Sequence, residues 1–127
     1  MTKKTVPTKA ELNILNILWK VQPSTVRQVH EVLSLTQSTG YTTTLKTMQV
    51  MHEKGLVQRD ESSRAHLYKA KESSGKTQNS LIKDILSKAF GGSKYDLVVS
   101  ALGEKASSDE INEIRELLNT LEEQNKK

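Results

Sequence analysis

Between Tyr41 and Gly55 the sequence sets Thr42, Lys46, Gln49 and Glu53 on one face of a helix-period segment, and Thr44, Met48 and Met51 on the other. Thr42, Thr43, Lys46 and Gln49 combine short hydroxyls, an amide and an ammonium. Such groups reach phosphate oxygens and base edges without filling a major groove. Just downstream, Arg59 and Arg64 border the turn-forming run Asp60-Glu61-Ser62-Ser63, and arginines on a hairpin suit contact with phosphate. A polar helix face also has a bland explanation, because solvent exposure alone produces it.

Other chemistries find little support. The absence of cysteine excludes disulfides, thiolate metal ligands and a thiol nucleophile. His30, His52 and His66 fall on three separate predicted elements without metal-ligand spacing, so neither a metal nor a cofactor is expected. The chain has no phosphate-cradling Gly-rich loop and no Ser-His-Asp set in a supporting context, and its 4% aromatic content leaves little to line a pocket. An enzyme with a small-molecule substrate is therefore not expected.

The elements that must position the polar face can be read from caps and periodicity. Thr8-Lys9-Ala10-Glu11 has the pattern of a capping box opening a helix over residues 9–20, with Leu12, Leu15, Leu18 and Trp19 at helical spacing and Pro23 beyond its end. Ser24 is read as the N-cap of a second helix ending near Leu35, with Val26, Val29, Val32 and Leu33 as its apolar stripe. Thr36 to Gly40 are turn formers, and the third helix runs from Tyr41 to Gly55. Leu56–Arg59 and Ala65–Lys69 then alternate as two strands around a turn over 60–64. Helix, helix, turn, helix and basic hairpin predict a mainly α fold with a small β-wing, a winged helix-turn-helix DNA-binding domain over residues 1–72.

Charge leans the same way. Residues 1–75 hold 11 Lys and Arg against 6 Asp and Glu, whereas residues 76–127 hold 8 against 9. A basic front half suits a polyanion, although solubility alone also favours surface lysines.

After the polar linker Lys71–Lys76, residues 73–127 form a predicted C-terminal helical dimerisation region. Leu81, Ile82, Ile85, Leu86 and Phe90 stripe one helix, Gly91 and Gly92 break it, and Tyr95, Leu97, Val98 and Leu102 stripe a second. Ile111, Ile114, Leu118 and Leu121 repeat with 3, 4, 3 spacing, like a coiled-coil seam. Three short apolar-faced helices bury little alone. A second copy would cover them, the alternative being a monomer that folds them onto the wing domain. A winged-helix module used for protein–protein assembly, without sequence-specific DNA binding, is the competing functional reading. Such a module would carry apolar or acidic residues on its third helix, where this chain has Thr42, Thr43, Lys46 and Gln49.

Thr8-Lys-Ala-Glu11, Leu18-Trp19, Tyr41-Thr-Thr-Thr-Leu45, Glu53-Lys-Gly-Leu-Val57 and Arg64-Ala-His-Leu-Tyr68 resemble the BlaI/MecI family of penicillinase repressors, in the family's order and over nearly the whole chain. The resemblance implies a homodimeric transcriptional repressor on a palindromic operator in double-stranded DNA, with the third helix as recognition element and the C-terminal helices as dimer interface. Carried over by position, Thr42, Thr43 and Lys46 are operator contacts. Leu45 stands where some relatives carry Arg or Lys, and could instead touch a thymine methyl group.

The resemblance also implies a partner, a membrane-bound sensor metalloprotease, which in the best-known relatives cuts an Asn-Phe bond in the second dimer helix. Ser100-Ala101 stand at about that place here and are the candidate cleavage site, so the β-lactam-sensing circuit itself does not follow. The copper-responsive branch ends in paired Cys motifs, and without cysteine that kind of sensing is not expected. Met1–Pro7 lacks an apolar leader core and no run is long enough to span a bilayer, so a cytoplasmic location is expected.

Overall fold

The computed structural model describes residues 6–103 and 105–126; Met1 to Thr5 of the N-terminal stretch lie outside them. In chain order the elements are α1 (Lys9–Lys20), α2 (Val26–Leu33), α3 (Tyr41–Lys54), β1 (Val57–Asp60), β2 (Leu67–Ala70), α4 (Ser74–Ala89), α5 (Lys94–Leu102) and α6 (Ser108–Asn125). The fold is mainly helical with a small antiparallel wing, as the sequence predicts. Two compact units result, residues 1–82 and 83–127.

In the first unit α1 begins with the capping box. The Thr8 hydroxyl accepts from the Glu11 amide at 3.2 Å and the Glu11 carboxylate accepts from the Thr8 amide at 2.9 Å. Ile14, Leu15 and Leu18 turn inward from α1, Val26, Val29 and Leu33 from α2, and Thr44, Met48 and Met51 from α3. Val57 and Tyr68 complete this core from the wing. Gly55 ends α3 with φ 82°, a left-handed conformation that glycine adopts without steric penalty.

Three local readings are corrected. Thr25, not Ser24, caps α2, its hydroxyl accepting from the Gln28 amide at 3.2 Å. Ser24 instead bridges to β2, its N–H donating to the Tyr68 carbonyl at 2.9 Å and its carbonyl accepting from the Tyr68 N–H at 2.8 Å. Tying down both Ser24 backbone groups in a sheet leaves Thr25 as the residue free to cap. Next, α2 stops at Leu33, and Val32 is 43% exposed, because burial at Val26, Val29 and Leu33 turns Val32 away from the core. The wing strands also begin later than alternation suggests, pairing Val57 with Ala70 and Asp60 with Leu67. The Leu56 amide is already bonded to the Met51 carbonyl at 2.9 Å, closing α3, so it cannot join the ladder.

Beyond the wing, α4 starts inside the predicted linker, with the Ser73 hydroxyl accepting from the Lys76 amide at 3.2 Å. Gly91 and Gly92 end it with φ 55° and 85°. Ser93 caps α5, and a Ser107/Glu110 capping box opens α6. No described residue of α4, α5 or α6 is buried. Among the described residues, no helix is long and apolar enough to cross a membrane.

Candidate nucleic-acid interface

The inward residues of α3 fix its outward ones. With Thr44, Met48 and Met51 at most 1% exposed, the helix cannot rotate without emptying the core. Thr42, Thr43, Lys46 and Gln49 are consequently held in solvent on one continuous surface. Lys46 joins no ion pair among the described residues. Beside this face runs a groove of about 390 Å³ between α1 and α3, lined by Thr8, Glu11, Thr43, Lys46, Thr47 and Val50 among others.

Glu11 locks that flank. Its carboxylate is 4% exposed and accepts from Lys54 Nζ at 2.7 Å while also capping α1, so one side chain ties the start of α1 to the end of α3. Burial pushes the Glu11 pKa up, but the hydrogen bonds from Lys54 and Thr8 and the Lys54 charge outweigh it and leave the pKa lowered. A depressed carboxyl pKa contributes stability that is present above the ordinary glutamate range and lost as pH falls below it. Acid titration of the unfolding free energy should therefore show a loss below that range that is smaller in Glu11→Gln, as followed by urea melts; identical acid limbs would contradict this role.

The two wing arginines differ. Arg59 Nε donates to a Glu61 carboxylate oxygen at 2.7 Å, its side chain is 20% exposed, and hydrogen bonding to Tyr68 and Glu61 raises its pKa. Its charge is largely answered within the wing. Arg64 is exposed and joins no ion pair among the described residues.

Along the chain from α4 to α6, Leu81, Leu86, Phe90, Leu97, Leu102 and Ile114 are half-buried, while Ile85, Ile111, Leu118 and Leu121 are 46%, 42%, 60% and 46% exposed. Val99 and Leu117, which the stripe reading passed over, are also open, at 50% and 55%. Ser100 and Ala101 lie exposed on α5. Among the described residues, no group of three or more His, Asp or Glu is placed to hold a metal ion.

Sequence reasoning missed a cluster at the joint of α2 and α3. The Arg27 guanidinium lies 4.8 Å over the Tyr41 ring, and His30 meets that ring edge-on at 5.7 Å. The residue types were visible; their meeting across the intervening turn was not.

The penicillinase repressor family model matches residues 7–120. Transcriptional regulators named BlaI from two strains of Mycobacterium tuberculosis are each 31% identical over 123 residues, covering 96% of this chain and 89% of theirs. A solved structure of ZitR from Lactococcus lactis, a cysteine-to-serine mutant, aligns over 98% of this chain and 81% of its own with 19% identity and a TM-score of 0.42, too loose to carry a fold assignment. The match across both units, with caps, core and polar α3 face in place, makes the chain a member of the penicillinase repressor family, a DNA-binding transcriptional repressor.

Proposed function

We propose that the chain represses as a homodimer on a palindromic operator, seating α3 in the major groove with Thr42, Thr43, Lys46 and Gln49 against bases and phosphates. Residues 1–72 serve as the DNA-binding domain and 73–127 as the dimerisation region. The observation that carries the reading is the exposed polar face of α3 fixed on a buried scaffold. Arg64 extends it to neighbouring backbone or minor groove from the wing, and Arg59 contributes chiefly by shaping the hairpin with Glu61. Two heads on one duplex double the phosphate contacts and steepen the salt dependence.

Dimerisation is supported by the lack of any buried side chain among the described residues of α4, α5 and α6 despite their apolar stripes, including Leu81, Ile85, Leu86, Phe90, Leu97, Leu102, Ile111, Ile114, Leu118 and Leu121. Apolar area left open on this scale favours a second copy. Repression is relieved by proteolysis or separation of these helices. A cut at Ser100-Ala101, exposed on α5, would sever the α6 seam from the head, and a membrane-bound sensor metalloprotease is the partner that reading requires. The site of action is the cytoplasm.

The contacts are tested on a palindromic duplex selected from a random pool by the full-length protein. Lys46→Ala should weaken binding about tenfold and blur discrimination among operator variants. Arg64→Ala should weaken all duplexes alike and lower the salt slope by about 1 per protomer. Affinities and slopes unchanged in both variants would remove α3 and the wing from the interface.

A further inference from the structure

Arg27 stands in the first turn of α2 and Tyr41 opens α3. The guanidinium carbon lies 4.8 Å from the centre of the Tyr41 ring, within the range of a cation–π contact. Tyr41 is itself braced, because the His30 ring meets it at 5.7 Å with an interplanar angle of 85°. His30 in turn is held at both ring nitrogens, Nδ1 lying 3.0 Å from the hydroxyl of buried Thr44 and Nε2 lying 3.3 Å from that of Ser34. A chain of contacts thus runs from the core to an exposed arginine.

An exposed Arg ordinarily samples many rotamers, and fixing it costs entropy each time it binds. Stacking on Tyr41 takes up the face of the guanidinium and leaves N–H groups on its edge for an acceptor. Arg27 is in no ion pair among the described residues, although Glu31 lies one helical turn away. A pre-ordered, unneutralised cation is therefore available at the joint of α2 and α3.

Its position gives it a task. By helical periodicity Tyr41 and Leu45 lie on one flank of the polar α3 face, and Thr43, Thr47 and Val50 lie on the other, where they line the groove against α1. A helix seated in a major groove has a phosphate row along each flank. We propose that Arg27, held over Tyr41, contacts the DNA backbone on the α2 flank and fixes the angle at which α3 enters the groove. The assignment rests on α3 being the recognition helix. Arg27 is then a positioning residue that touches phosphate, and Tyr41 is the platform that aims it.

The test measures affinity of the full-length protein for the selected palindromic duplex across salt concentrations. Arg27→Ala should lower both the affinity and the salt slope, the latter by about 0.9 per protomer. Tyr41→Leu should weaken binding while leaving the slope near the parent value, because the charge remains but is no longer aimed. Lys20→Ala, an equal loss of charge at the far end of α1, should leave the slope unchanged, and thermal melts of each variant exclude unfolding. An Arg27→Ala slope equal to the parent's, or a change no larger than that of Lys20→Ala, would reduce the stack to packing between α2 and α3 and overturn the proposal. Failure of the parent protein to enrich any duplex would instead overturn the operator reading, and the Arg27 role with it.

Discussion

Replacing Ile114 and Leu118 together by Asp in the full chain should yield a monomer that binds the operator about 10² to 10⁴ times more weakly than the parent. Both positions fall on the apolar seam of α6, whose capping box holds the helix start in place. Ile114 is half-buried and Leu118 is 60% exposed, and neither belongs to the buried core cluster, so most of the cost should fall on whatever covers the seam. Two carboxylates in an apolar seam would have to be desolvated without partners. The core of the first unit draws on residues from Ile14 to Tyr68 and includes none from α6, so its melting should be unaffected. Each head would still meet a half-site, but without the high effective concentration that a linked second head provides. Sedimentation and operator titration read the two effects together. A variant that stays dimeric at parental affinity would remove the seam from the interface.

Leu18→Ala should have the largest effect on stability, a loss of about 2–5 kcal/mol. Leu18 is fully buried where α1 meets the cluster that includes Met48 and Met51, and the residues around it are pinned by a capped helix on one side and the wing on the other. Such a site cannot collapse easily around a cavity. For a head of this size the melting temperature should fall by about 10–40 °C. Val32→Ala provides the contrast. Val32 is 43% exposed on α2, and its truncation should stay within about 0.5 kcal/mol. Equal losses in the two variants would contradict the placement of the core.

Much of the head was legible because its signals are local. The Thr8/Glu11 box, the Thr44-Met48-Met51 spacing and the Gly55 stop each act within a turn or two of helix, and α1 and α3 occupy the expected spans. Ser24 was misread because its role depends on Tyr68, a partner distant in sequence, while its type suits a cap equally well. Composition misled at the linker too. Ser73, Ser74 and Gly75 look like loop residues, yet a Ser73 cap lets the helix begin among them.

At the interface the residue types were readable and their partnerships were not. Arg59 and Arg64 are equivalent in sequence terms, but the pairing of Arg59 with Glu61 separates them. In the sequence Arg27 reads only as an outward polar residue of the second helix, because the aromatic face that orders it lies across the turn between two helices. The apolar stripes of α4 to α6 were plain from periodicity, whereas periodicity alone does not say what covers them.

Titration of the full-length protein against its selected palindrome, the isolated half-site and a random duplex across salt bears most directly on the central claim. The account predicts two protomers per palindrome, a preference over random DNA on the order of 10³ or more, and a steep salt slope. Equal affinity for palindrome and random duplex, or a single protomer on the palindrome, would contradict it.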